Sequence, residues 1–194
     1  MNQTISKKVR ILVIAPSARG FGFCAMENQA ILECGKKGAK GDNNLHSLFK
    51  IEKLMKLFQP GVLVLHDMNA QGLRRSPRIK ALQEQVIELA EKQKCKVVLF
   101  SGKKLRIALL GDARGTKHEM AEMLAQKFPS FLAGKVPPKR RAWDNEDGRM
   151  DIFDAVALAQ HFFGAGKLRI CGAMEIDLGN VINRARKAVI RAGQ

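Results

Sequence analysis

The chain contains no tyrosine and one tryptophan, and aromatics make up only 6% of its 194 residues. A surface that stacks successive unpaired bases needs aromatic faces. Their scarcity argues against such a platform and for a protein that grips a duplex backbone. The four cysteines, Cys24, Cys34, Cys95 and Cys171, lie far apart and form no C-x-x-C pair. That spacing speaks against a zinc finger, a redox dithiol motif and a disulfide scaffold. No apolar run approaches the roughly 18 residues of a membrane span. Ile11–Ala15, the longest early run, ends at Pro16 and is too short for the core of a signal peptide. Acidic residues are few as well: 18 Asp+Glu stand against 34 Lys+Arg, a formal charge of +16. The 46% hydrophobic content is enough to build a core, so the charge does not imply disorder. The length suits one compact domain with a short appendage. Together these features predict a soluble protein of a reducing, cytoplasmic compartment with a polyanionic partner.

Each phosphate contact made by Lys or Arg releases condensed counterions, so a basic excess of this size favours nucleic acid. The plainer alternative is a solvated basic surface. Clustering favours the former. Arg74, Arg75, Arg78 and Lys80 form one group, and Lys135, Lys139, Arg140 and Arg141 another. Arg184, Lys187 and Arg191 recur at helical spacing. Residues 164–194 are read as a basic C-terminal extension to a domain over 1–163.

Val9–Ala15 is a nearly continuous apolar run of strand length, as expected of a strand buried on both faces. Phe21–Met26 and Ala30–Cys34 read as two further strands, joined by a turn at residues 27–29. Gly35–Gly41 reads as a flexible basic loop. Asp42, Asn43 or Asn44 caps a helix to about Phe58, with Leu45, Leu48, Phe49, Glu52 and Met55 on its periodic face. Val62–Leu65 is another buried strand, ending at His66 and Asp67. Ser76, with Pro77 after it, opens a helix whose inner face is Ile79, Leu82, Val86 and Ala90. Lys96–Phe100 is the last strand. Thr116-Lys-His-Glu119 matches a capping box. Met120, Leu124 and Phe128 follow on one face of that helix, which Pro129 ends. Residues 129–148 read as a loop and Arg149–Phe163 as a final core helix. The order implies a mixed five-stranded sheet with helices on both faces, its first three strands antiparallel because their connections are short.

Asp151 and Asp154 are three apart, on one face of the last helix. Two such carboxylates resist ionising together unless a cation sits between them. Acids also favour a helix start for its dipole alone, so the pair by itself leaves both readings open. Arg19-Gly-Phe-Gly22 lacks the full phosphate-binding fingerprint and reads as a strand-to-strand turn. His118 reads as a capping-turn histidine, and His161 as a core or surface histidine. Trp143, in a polar loop, reads either as a wedge at a branch point or as a packing plug.

Four stretches, in order, resemble the RuvC-type Holliday-junction resolvases of the RNase H-like nuclease superfamily. Arg10-Ile-Leu-Val-Ile-Ala15-Pro-Ser-Ala-Arg-Gly-Phe-Gly-Phe is similar to the family's first strand and turn. Val62-Leu-Val-Leu-His66-Asp67 is similar to the strand that ends in a glutamate. Leu105-Arg-Ile-Ala-Leu-Leu-Gly-Asp-Ala-Arg-Gly-Thr-Lys117 is similar to the segment in which a short apolar helix precedes a glycine turn and a lysine. Asp151-x-x-Asp154-Ala-x-Ala-x-Ala is similar to the closing acidic helix. The likeness spans about residues 9–163.

The resemblance implies an RNase H-like α/β fold and a structure-selective endonuclease. Such an enzyme hydrolyses phosphodiester bonds with two Mg²⁺ (or Mn²⁺) ions held by four carboxylate positions. It also implies branched or duplex DNA as partner, with RNA left open, and a homodimer suited to symmetric junctions. Carried onto this chain, the catalytic positions are Ala15, His66, Asp151 and Asp154, with Lys117 beside the scissile phosphate. Metal ligation falls to Asp151 and Asp154, and to Asp67 only if the strand end bulges or the strand register is shifted by one. Arg19, Arg74, Arg75, Arg78, Lys139, Arg140 and Arg141 are the expected nucleic-acid contacts. Two positions depart from the pattern. A methyl group at Ala15 cannot ligate Mg²⁺, and the imidazole of His66 suits softer metals. Ala15 reads either as an inactivating substitution or as part of a natural loss of cutting that keeps the fold and the basic surface.

Overall fold

A computed structural model describes residues 9–38, 44–68, 76–141 and 143–164, together with the backbone of 168–169 and 175–176. Five strands form one sheet in the order β3-β2-β1-β4-β5. β1 (Arg10–Ser17), β2 (Gly20–Glu27) and β3 (Ala30–Gly38) form an antiparallel meander, while β4 (Val62–His66) and β5 (Lys96–Phe100) run parallel to β1. The short turns after β1 and β2 permit only antiparallel pairing. The crossovers to β4 and β5 carry α1 (Asn44–Phe58) and α2 (Pro77–Lys92). Then follow α3 (Gly102–Leu110), α4 (Lys117–Lys127), the short α5 (Pro129–Leu132) and α6 (Met150–Gly164). A two-stranded pair, β6 (Leu168–Arg169) and β7 (Glu175–Ile176), lies beyond α6. No helix among the described residues is long and apolar enough to cross a membrane.

Strand alternation sorts the core into two layers. Ile11, Val13 and Ala15 of β1, Val62 and Val64 of β4, and Val98 and Phe100 of β5 face α6 and the α3–α5 group. Leu12, Ile14, Leu63, Leu65 and Val97 face α1 and α2. α6 is buried almost all round, as its uninterrupted Ile-Phe-Asp-Ala-Val-Ala-Leu-Ala sequence requires of a central helix.

The structure departs from the sequence reading in four places. Gly35–Gly38 continue β3, pairing with Phe23 back to Gly20, rather than forming a loop. β1 runs through Pro16 to Ser17; β4 pairs only with Ile11–Val13, so beyond Val13 that side of β1 has no ladder for a missing N–H to break. α1 is rotated relative to its expected face: Ser47, Ile51, Leu54 and Met55 are buried, while Leu45 and Phe49 point to solvent. Pro129 ends α4 but also opens α5, inside the stretch read as a loop. The capping box at Thr116 is formed: its hydroxyl accepts from the Glu119 N–H at 3.2 Å, and its own N–H donates to Glu119 Oε2 at 2.8 Å.

Candidate functional site

The end of β1 and the start of α6 meet at a glycine. Ala15 pairs across the sheet with Gly22 of β2, which pairs in turn with Lys36 of β3. These three positions form one row on the α6 side. The backbone of Asp151 rests directly on Gly22, so close that an added Cβ would lie 1.8 Å from the Asp151 carbonyl oxygen. With no side chain at the middle of the row, Lys36 reaches back over it. Its Nζ lies 3.2 Å from Asp151 Oδ2, in space left open because residue 148 is also glycine; a Cβ there would lie 2.0 Å from that ammonium.

Asp151 and Asp154 are each only 8% exposed. Burial is the main influence on Asp151 and raises its pKa, against the lowering effect of Ser17 and Lys36. Asp154 Oδ2 accepts a 2.8 Å hydrogen bond from Lys117 Nζ, the first residue of α4, and the same ammonium lies 2.7 Å from Glu146 Oε1. Burial works against the charge on Lys117, but Asp154 and Glu146 outweigh it and hold its pKa above the ordinary lysine value. Each aspartate therefore has a lysine of its own. A cavity of about 280 Å³ opens beside Asp151 and Lys36, bordered also by Ser17, Arg19, Asn145 and Glu146.

The remaining expected positions divide sharply. His66 is the last residue of β4. It follows Val62 and Val64 on the α6 face and pairs with Phe100. The Asp67 N–H still donates to the Phe100 carbonyl, at 2.9 Å, so the pleat extends one residue and carries Asp67 toward the Leu63 and Leu65 side. Arg19 is exposed at the cavity rim. Arg78 is turned inward: its guanidinium donates to the Ser17 and Ala18 carbonyls at 3.1 and 2.6 Å and to Asn44 Oδ1 at 3.2 Å. It braces the β1–β2 turn. Arg74 and Arg75 lie outside the described residues, as do Arg184, Lys187 and Arg191 of the C-terminal extension. Lys139, Arg140 and Arg141 are exposed. Arg140 Nε donates to the Asp144 carbonyl at 2.6 Å, and the Arg141 guanidinium sits 6.0 Å from the Trp143 ring, which is 78% exposed. That exposure is not that of a packing plug. His161 packs edge-on against Phe100 with ring centroids 4.5 Å apart.

The residues present do not fit a two-ion centre. Ala15 offers no oxygen, His66 offers nitrogen, and each aspartate is engaged by an ammonium. Among the described residues no three His, Cys, Asp or Glu side chains converge as a metal would require. The residue that sequence reasoning missed is Lys36, hidden in a glycine-lysine stretch. The register opposite Gly22 is the signal that exposes it.

No family model matches the chain, and no curated protein matches it. Solved structures do. RuvC of T. thermophilus in complex with a Holliday junction substrate superposes with a TM-score of 0.60 at 12% identity, covering 84% of this chain and 99% of that one. A second Thermus thermophilus RuvC structure gives a TM-score of 0.57 at 14% identity, covering 84% and 100%. With five strands in this order and the acidic helix laid across the first of them, the chain has the RuvC-type resolvase fold.

Proposed function

We propose that this protein binds branched DNA on a resolvase scaffold whose cutting centre is impaired, so that the chain as written recognises junctions without hydrolysing them. The observation that carries this reading is the pairing of both aspartates with lysines at a strand end that supplies alanine and histidine instead of carboxylates. Binding is supported by the +16 charge and by the exposed Arg19, Lys139, Arg140 and Arg141 around the cavity and its bordering loop. A similar protein has been solved on a Holliday junction. Trp143, beside Arg141, is suited to stack against an unpaired base at the branch.

A homodimer belongs to the same reading. Leu45, Phe49 and Leu57 recur on one side of α1 at intervals of four and eight residues and are 69%, 53% and 66% exposed. A stripe of that kind fits a second copy of the chain. We place the protein in the cytoplasm, in keeping with the free thiols of Cys24, Cys34 and Cys95.

The test is fluorescence anisotropy with a labelled four-way junction, the matching linear duplex and an RNA duplex, across a salt series, alongside a nicking assay in Mg²⁺ and in Mn²⁺. The expected result is tightest binding to the DNA junction, affinity falling steeply with salt, and no nicks. Nicking by the unmodified chain refutes the loss of cutting. Equal or absent binding to all three substrates refutes junction recognition.

A further inference from the structure

Resting on that reading, we infer that the ammonium groups of Lys36 and Lys117 take the place of divalent cations in the cleft, making it a metal-independent site for a DNA phosphodiester. Asp151 and Asp154 act in it as positioning residues that hold the two lysines, rather than as metal ligands.

The argument starts from charge. A pair of buried carboxylates on the path of a polyanion repels it unless something neutralises them. Here the neutralising groups are built into the chain. Lys36 lies against Asp151 and Lys117 against Asp154. Where the resemblance implies four carboxylates, a lysine and two doubly charged ions, this cleft keeps Asp151, Asp154 and that lysine, Lys117, which also meets Glu146, and adds Lys36 beside Asp151. Ala15 and Lys36 even stand in one cross-strand row, separated only by Gly22.

Geometry supports the same reading. Both glycines that border Lys36 are needed for its placement. Gly22 lets Asp151 settle onto β2, and Gly148 leaves the space that the ammonium fills. An ammonium has three donors. Lys36 meets Asp151 Oδ2 as an ion pair at 3.2 Å, and that oxygen and Ser17 Oγ are both buried without a well-aligned hydrogen bond. These two oxygens, Lys36 and the exposed Arg19 border one cavity of about 280 Å³, large enough for a phosphate group with its flanking sugar atoms. Lys117 spends its contacts on Asp154 and Glu146, so Lys36 and Arg19 supply the direct donors while Lys117 cancels the charge behind them.

The experiment has a DNA arm and a DNA-free arm. In the first, a labelled four-way junction is titrated in EDTA and in Mg²⁺ at matched ionic strength, with the wild-type chain and the Lys36→Gln, Lys36→Arg and Lys117→Gln variants. The expected result is equal affinity with and without Mg²⁺. Lys36→Gln should weaken binding and reduce the slope of log K against log salt by about 0.9, the value for one lost phosphate contact. Lys36→Arg should keep the slope, which separates a charge contact from damage to the fold. Lys117→Gln should weaken binding because Asp154 and Glu146 are left uncompensated. In the second arm, Mn²⁺ is titrated into the DNA-free protein and followed by electron paramagnetic resonance. The free-ion signal should be unattenuated by wild type. Mn²⁺ uptake that disappears in Asp151→Asn overturns the inference, because the carboxylates are then metal ligands. Junction binding unchanged by Lys36→Gln and Lys117→Gln also overturns it while leaving junction recognition standing. Loss of junction binding by the wild-type chain itself removes the proposed function, and this inference with it.

Discussion

Replacing Gly22 by alanine adds one methyl group at the most crowded point between sheet and helix. The new Cβ would sit 1.8 Å from the Asp151 carbonyl oxygen and 2.3 Å from its carbon. Both are backbone atoms, so no rotamer relieves the overlap. The start of α6 must withdraw by about 1.2 Å merely to restore a 3.0 Å contact. Overpacking of a well-filled interior costs about 1–3 kcal/mol, and a clash with helix backbone belongs at the upper end. Residue 22 is not among the glycines with positive φ, so alanine tolerates the backbone and recovers about 0.4–1 kcal/mol from the unfolded chain. The net loss is then about 2 kcal/mol. At roughly 2–4 °C per kcal/mol for a chain of this size, Gly22→Ala should lower Tm by about 4–8 °C in calorimetry or circular dichroism. Moving Asp151 should also loosen its contact with Lys36 and weaken junction binding. A Tm within about 1 °C of wild type would refute the close approach from which the cleft has been built.

Gly148→Ala offers the contrast: its new methyl meets only the tip of Lys36, so Tm should change by less than about 2 °C while anisotropy titrations show weakened junction binding. Thr116→Ala removes the hydroxyl of the capping box at the start of α4 and should cost about 1 kcal/mol in urea unfolding. Burial against Phe100 lowers the pKa of His161 below its ordinary value of 6.5. The folded protein therefore favours the neutral ring: the stability this contributes is present above pH 6.5 and is lost as pH falls through the lowered value. In His161→Leu that component of the acid loss of Tm should be absent. Finally, the double variant Ala15→Asp, His66→Glu restores two carboxylates on the α6 face and should gain Mg²⁺-dependent nicking of four-way junctions in a gel assay. No cleavage of branched DNA by a folded double variant would count heavily against a resolvase-type cutting centre at this cleft.

β1, β4 and β5 could be read directly from the sequence, because their middle residues are buried on both faces and so appear as apolar runs. The inner face of α2 was equally plain, its Ile79, Leu82, Val86 and Ala90 all buried as expected. β3 was half hidden. Its outer portion is glycine and lysine, a composition typical of loops, and it is held in the sheet by its register with Gly20–Phe23 rather than by any preference of its own. α1 misled for a different reason: it carries apolar residues on more than one side, and Leu45 and Phe49 belong to the exposed one. The acidic helix and Lys117 were visible through the ordered resemblance. Lys36 was not, because nothing local marks a lysine that acts across two strands. Arg78 shows the converse limit, since its charge suggested a phosphate contact while its guanidinium is spent on the carbonyls of a turn.

The five strands also act as a partition. Successive side chains of a strand point to opposite faces, so residues on the two sides share few direct neighbours and substitutions in them should combine additively. The chemistry above the sheet can therefore change while the helices below it keep their packing.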